Sequence, residues 1–265
     1  MDKQICNIIK KIREKTPLVH AITNYVTIND CANILLAFGA SPAMVEAYDE
    51  SYDFAKISSA IYINLGSLTK EQETAILMAS ISAKNNNVPV VLDPVACGAI
   101  PRKLSVINKI SELGKIDVIK GNIGEIKVLA GQASKVRGVD SVDEGEGIIE
   151  ACKIVAGKYN CTVVATGKVD TISDGKRVAQ IYNGTEMFTK VTGAGCMLGA
   201  LCAGACGAEE DKFKAVCSAV AWMNISGELA FEGAKFPGSF KVKLIDYIYS
   251  LNKETFMQKL NMEII

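Results

Sequence analysis

The chain has 265 residues, 49% of them hydrophobic and 22% charged, a composition that suits a folded protein with a large core. Lys plus Arg and Asp plus Glu each number 29, so the net charge is zero, which excludes the basic patch of a nucleic-acid binder and the acidic block of a disordered tail. Nine cysteines, odd in number and with no C-x-x-C pair, exclude a disulfide framework and a zinc site, and a single histidine, His20, excludes polyhistidine metal centres. Aromatic residues at 6% weaken any base-stacking role. No stretch reaches the ~20 apolar residues of a spanning helix, and the first residues carry no apolar signal region. The expectation is a cytoplasmic protein with no membrane contact, its cysteines mostly small buried hydrophobes in a reducing compartment.

In chain order, Ile5, Ile8, Ile9 and Ile12 recur at helical spacing and predict an amphipathic helix over 3–14, stopped at Thr16-Pro17. A short strand over 18–22 leads into Thr23-Asn24-Tyr25, and a helix over about 27–38 ends at Gly39, a good left-handed C-cap. Ser41-Pro42-Ala43-Met44 begins a strand, and 61–65 is another, ending in Gly66. Thr69 with Gln72 forms a capping box for a helix to about Lys84. Residues 88–92 are a strand stopped by Asp93-Pro94, and a helix covers about 102–113. Residues 117–119 are a strand, after which Lys120-Gly121-Asn122 opens a helix through Leu129. Residues 132–142 read as a loop, 144–157 as a helix and 161–165 as a strand ending in Thr166-Gly167. Asp174-Gly175 and Asn183-Gly184 signal hairpin turns, so 169–191 is expected to be antiparallel. The remainder is helical, broken at Phe236-Pro237-Gly238.

Strands alternating with helices predict an α/β fold: a doubly wound, mostly parallel sheet flanked by helices on both faces, with antiparallel edge hairpins. No linker or repeat divides the chain, so 1–265 is expected to be a single domain. In such sheets ligands bind beyond the carboxyl ends of the strands, where the polar punctuation falls: Asn64-Leu65-Gly66, Asp93-Pro94, Lys120-Gly121-Asn122 and Thr166-Gly167.

The richest segment is 189–208, where Thr192-Gly193-Ala194-Gly195-Cys196 opens into a small-residue helix. Gly193 and Gly195 let their amides approach a ligand, and the first amides of a helix lack internal partners, so the turn suits phosphate. Cys196, in the first turn, sits where a thiol is most easily ionised and is expected to be partly thiolate at neutral pH. Neither common glycine motif fits: Met197-Leu198 follows where a P-loop needs Lys-Ser/Thr, and no buried strand precedes the G-x-G as a dinucleotide fingerprint requires. The other candidates each have two readings. Asp93 is a Mg²⁺ ligand or an Asp-Pro turn; Glu125 is a metal-associated acid or the N3 member of a capping box with Asn122. Lys120 touches a phosphate or merely ends a strand, Thr166-Gly167 is a contact or only a turn, and His20 is a ligand contact or a packed strand residue.

Six segments together carry a resemblance. They are Pro17-Leu18-Val19-His20-Ala21-Ile22-Thr23-Asn24-Tyr25-Val26, Gly39-Ala40-Ser41-Pro42-Ala43-Met44, Asp93-Pro94-Val95, Lys120-Gly121-Asn122-Ile123-Gly124-Glu125, Thr166-Gly167-Lys168-Val169-Asp170 and Val191-Thr192-Gly193-Ala194-Gly195-Cys196. In this order they resemble the hydroxyethylthiazole kinases, from about residue 17 to Gly238-Ser239-Phe240. The resemblance implies a ribokinase-like fold without a lid, ATP as co-substrate with Mg²⁺, and a homotrimer with sites at subunit interfaces. The implied reaction phosphorylates the hydroxyl of 5-(2-hydroxyethyl)-4-methylthiazole in thiamine biosynthesis or salvage. By position, it implies that Met44 and Gly193 contact the thiazole alcohol, that Asn24 lies in the segment completing a neighbour's site, and that Thr166 and Lys120 meet ATP alongside Gly195. Asp93 and Glu125 match metal-associated acids, and Cys196 stands where ribokinase-like relatives carry a catalytic Asp. Two positions depart: Lys120 replaces a usual Arg, and Ala96-Cys97-Gly98 replaces a more glycine-rich loop.

Overall fold

Alternation along the strands decides which side chains face which helix layer. The computed structural model describes residues 1–132, 136–137, 140–141 and 147–265. Its strands are β1 (Leu18–Ile22), β2 (Ser41–Ala43), β3 (Ala60–Asn64), β4 (Val90–Asp93), β5 (Val118–Asn122), β6 (Val136–Arg137), β7 (Asp140–Ser141), β8 (Thr162–Thr166), β9 (Asp170–Ser173), β10 (Val178–Ile181) and β11 (Met262–Ile264). Nine of them form one sheet in the order β11-β10-β9-β8-β5-β4-β3-β1-β2, while β6 and β7 make a separate ribbon. From β2 to β8 neighbours run parallel; β9, β10 and β11 add antiparallel partners at one edge. This is the mostly parallel, ribokinase-like architecture expected from the alternating elements.

The helices are α1 (Asp2–Lys15), α2 (Ile28–Phe38), α3 (Ser51–Ile57), α4 (Lys70–Asn86), α5 (Pro101–Leu113), α6 (Ile123–Leu129), α7 (Ile148–Tyr159), α8 (Ala194–Ala208), α9 (Lys212–Gly233), α10 (Pro237–Ser250) and α11 (Lys253–Lys259). On β4, Val91 joins the core shared with α1, α2, α8 and α9, while Val90 and Leu92 point into the core shared with α4 to α7. Both faces are therefore covered, as a parallel sheet requires. Both capping boxes form: Thr69 with Gln72 starts α4, and Asn122 with Glu125 starts α6. Gly39 closes α2 at φ +99°.

Several local expectations are corrected. Residues 186–190 form a short 3₁₀ helix instead of a strand, and β10 pairs with β11 from the end of the chain. Asn183-Gly184 is thus no hairpin turn. Asn183 is a polar staple: its side chain accepts from the Asn261 amide at 2.7 Å and donates to the Lys259 carbonyl at 2.8 Å, guiding β11 onto the sheet edge. Helix α3 and strand β11 are short and carry no periodic signal. The expected loop over 132–142 contains the β6–β7 ribbon; 133–135, 138–139 and 142–146, including the expected start of the 144–157 helix, lie outside the described residues.

Helix α8 lies so close to β3 that a Cβ on Gly199 would sit 2.5 Å from Tyr62 Cε2 and 2.7 Å from its hydroxyl. Gly199→Ala should therefore overpack the core and lose about 1–3 kcal/mol. Urea unfolding measures this; an unchanged midpoint would contradict the close approach.

Candidate functional site

The parallel strands end together, and the register places Asn64 of β3 beside Asp93 of β4. Asp93 is 1% exposed. Its Oδ2 accepts from Lys120 Nζ at 2.9 Å, Tyr62 hydroxyl at 3.2 Å and Asn64 Nδ2 at 3.2 Å. Lys120, on β5 and equally buried, also donates to the Gly195 carbonyl at 3.1 Å. Burial alone would push the Lys120 ammonium down, but Asp93, then Cys196 and Glu125, outweigh it and raise its pKa. Burial, with Asp93 next to it, drives the Tyr62 phenol well above its ordinary range, so it stays a donor. The second oxygen, Asp93 Oδ1, is buried and has no partner among the described residues.

Above this pair sits the first turn of α8. Gly193 takes φ +84°, and a Cβ there would meet Thr27 Cγ2 at 2.6 Å, so the position requires glycine twice over. The Ala194 amide bonds Val191 and the Met197 amide bonds Gly193. Between them the amides of Gly195 and Cys196 find no backbone acceptor among the described residues, which leaves two donors at the positive end of the helix. Cys196 Sγ accepts from Asn64 Nδ2 at 3.3 Å and Asn24 Nδ2 at 3.5 Å. Its pKa is raised: burial comes first and Asp93 second, against smaller opposing effects of Lys120, Thr27 and Asn24. The expected partial thiolate is corrected by this. Loss of solvent first, then the carboxylate under the turn, disfavours the thiolate.

Glu125 fulfils its capping reading and does more. One oxygen accepts from the Asn122 amide at 2.8 Å; the other accepts from the Ala96 amide at 2.7 Å, tying α6 to the loop after β4. Burial, then Asp93, raises its pKa against Lys120 and the two amides. Lys103 on α5 is also buried and bridges two loops, donating to Gly66 at 3.0 Å and Val95 at 2.7 Å. Asn24 belongs to the same cluster. Its side chain turns into its own chain's cluster, donating to Asn64 Oδ1 at 2.9 Å as well as to Cys196, because the buried polar groups there need donors. Only Tyr25 and Val26 after it are exposed.

Thus Asn24, Asp93, Lys120, Gly195 and Cys196 are in direct contact, and Glu125 is close enough to act on the charges of Asp93 and Lys120. Thr166, at the end of β8, donates to Gly121 at 3.3 Å and flanks the cluster one strand from Lys120. Met44 follows β2, half-buried against the α8 core, and makes no hydrogen bond to the cluster. His20 is a packed strand residue: its Nε2 bonds the Val45 carbonyl at 2.8 Å and its ring meets Phe54 edge-on.

Two members escape a reading by motif, Tyr62 and Lys103, while Asn64 is part of the polar punctuation at the strand ends. Lys103 leaves a trace, since it shares helical spacing with buried Val106, Ile107 and Ile110. The donor set includes two carboxylates with one orphaned oxygen, and among the described residues no three His, Cys, Asp or Glu side chains are placed to hold a metal ion by themselves.

Comparison with known proteins identifies the family. Residues 9–254 match the model of the hydroxyethylthiazole kinase family. Hydroxyethylthiazole kinase 2 of Clostridium botulinum (strain Loch Maree / Type A3) is 66% identical over 257 residues, covering 97% of this chain and 98% of the relative. A hydroxyethylthiazole kinase of Clostridium kluyveri is 62% identical, with 96% and 94% covered. The solved structure of the Pyrococcus horikoshii OT3 hydroxyethylthiazole kinase superposes with a TM-score of 0.91 at 38% identity, covering 99% of both chains. A Staphylococcus aureus pyridoxal kinase, solved with AMP-PCP and pyridoxal, shares the fold at a TM-score of 0.65 and 16% identity, with 94% and 98% covered.

Eight of the nine free cysteines are buried, so Cys196 should be the thiol that iodoacetamide reaches in the folded protein. Its alkylation rate should keep rising above the ordinary thiol pKa of ~8.5. A rate that levels off below pH 8 would contradict the raised pKa.

Proposed function

From the premise that this chain belongs to the hydroxyethylthiazole kinase family, we propose that it transfers the terminal phosphoryl group of ATP to the side-chain hydroxyl of 5-(2-hydroxyethyl)-4-methylthiazole, in thiamine biosynthesis or salvage. The observation that carries this reading is the single buried network joining Asp93, Lys120 and Cys196 under the open amides of α8. It gathers an anion cradle, a cation and a sulfur beside an uncommitted carboxylate oxygen.

The new bond runs from the alcohol oxygen to the γ-phosphorus, and the bond to the β–γ bridging oxygen breaks. Such transfer depends mainly on position and charge. The amides of Gly195 and Cys196 meet the transferring phosphoryl oxygens, where negative charge gathers. Lys120 has three N–H donors and spends two on Asp93 and Gly195, so a third is left for phosphate. Thr166 lies on the nucleotide side. Gly193 and Met44 shape the alcohol side, and Asn24 orients Cys196. Cys196 is the catalytic residue of this reading. Its raised pKa favours the thiol, which holds the alcohol in line while the hydroxyl proton passes to phosphate oxygen or water. Asp93 and Glu125 would hold Mg²⁺, whose charge neutralises the nucleotide phosphates; the orphaned Asp93 Oδ1 supports this assignment.

The whole chain acts as one domain in this reading, in a cytoplasmic homotrimer with sites at subunit interfaces. Tyr25 and Val26, exposed beside the inward-facing Asn24, support a neighbour's approach there. Nine free cysteines go with a reducing compartment, and no described helix is long and apolar enough to cross a membrane.

Incubation with Mg-ATP and the thiazole alcohol should yield the phosphate ester and ADP in equal amounts, detected by ³¹P NMR. Absence of the ester would overturn the proposal. In the same assay Cys196→Ala should lower kcat about 10²-fold, the effect of a misplaced reactant, with KM for the alcohol little changed. Wild-type kcat in that variant would remove Cys196 from the chemistry. Specific activity should fall on dilution as the trimer dissociates, and a fully active monomer in sedimentation would remove the shared site.

A further inference from the structure

The Thr166-Gly167 turn is braced from behind by a buried carboxylate that the phosphoryl transfer does not use. Asp170 starts β9, and its side chain folds back under the turn. Its Oδ1 accepts from the Gly167 amide at 3.0 Å, and its Oδ2 accepts from Asn224 Nδ2 of α9 at 2.7 Å. The same Asn224 nitrogen donates to the Asn183 carbonyl at 2.9 Å, which fixes which way its amide faces. On its other side the turn rests against α6: a Cβ on Gly167 would stand 2.5 Å from Ile123 Cδ1. The backbone after Thr166 is therefore held between Ile123 and Asp170.

A carboxylate is an expensive way to hold a turn. Asp170 is 6% exposed and forms no ion pair among the described residues. Burial raises its pKa to about 6, against the smaller pull of Asn224, the Gly167 amide and distant Lys120. A neutral acceptor would satisfy one amide at less desolvation cost. What the carboxylate adds is two charge-assisted hydrogen bonds in opposite directions from one rigid group, which is stronger and more directional than neutral pairing.

We propose that Asp170 is a positioning residue for the nucleotide: with Asn224 behind it, it fixes the Thr166-Gly167 turn against α6 so that Thr166 meets ATP. This rests on the assignment of Thr166 to the nucleotide side made above.

The test compares steady-state KM values for ATP and for the thiazole alcohol in four variants of the full-length protein. Thr166→Val keeps the shape and removes the hydroxyl. Asp170→Asn still accepts from Gly167 but sets its amide nitrogen against that of Asn224. The pair Asp170→Asn with Asn224→Asp reverses donor and acceptor between these two side chains but leaves the Asn183 carbonyl without its donor, so only part of the match returns. Thr166→Val and Asp170→Asn should each raise KM for ATP about tenfold, the order of one hydrogen bond to a charged group, with KM for the alcohol changed less than about twofold. The reversed pair should recover part of that loss. If Asp170→Asn does not fold, Asn224→Ala, which leaves the Gly167 bond in place, should raise KM for ATP about threefold. An unchanged KM for ATP in Thr166→Val overturns the assignment of Thr166. A Thr166→Val effect alongside an Asp170→Asn that only lowers the melting temperature, or that raises both KM values equally, overturns the positioning role alone.

Discussion

Two opposite charges buried at the ends of adjacent strands govern this molecule. Asp93 and Lys120 are each almost wholly removed from solvent and lie 2.9 Å apart. Either charge alone in that position would cost several kcal/mol, so each is tolerable only because the other is present and because further donors and acceptors complete it. Tyr62 and Asn64 complete the carboxylate; the Gly195 carbonyl completes the ammonium. The pair thus fastens β3, β4 and β5 to the first turn of α8. Because that helix is made of small residues, it comes close enough to β3 for these contacts to close.

The wider charge arrangement follows the same logic. Glu125 and Lys103 lie near Asp93, so two buried carboxylates face two buried lysines. The set is balanced in formal charge. One oxygen of Asp93 is left over in this balance, as are the amides of Gly195 and Cys196 and a third donor of Lys120. The donors among those leftovers are what a phosphate-bearing substrate would engage in the proposed reaction. Cys196 takes its properties from the same surroundings: burial, then the neighbouring carboxylate, disfavours its thiolate.

Much of the scaffold is legible from local rules. The apolar runs, both capping boxes and the left-handed Gly39 are decided within a few residues, and the element order then implies a doubly wound sheet. The glycine turn at 193–196 and the carboxyl-edge residues Asp93 and Lys120 stand out because polar residues interrupt apolar sequence. What escapes is decided by contacts distant in sequence. Asn183-Gly184 reads as a hairpin, yet its partner strand lies some eighty residues on, at Met262–Ile264. Asn64 and Tyr62 matter because of Asp93, and the direction of Asn24 is set by Asn64 and Cys196. The pKa of Cys196 is raised first by burial and then by a carboxylate about a hundred residues earlier, neither of which a helix-terminus rule contains.

The most direct test is a double-mutant cycle on the pair itself, read as unfolding free energy in urea. Asp93→Asn and Lys120→Met should each lose about 3–5 kcal/mol, since each strands a buried partner. The double variant should lose much less than the sum, leaving a large coupling energy. Losses that simply add would show that Asp93 and Lys120 act independently, and the account built on their pairing would fail.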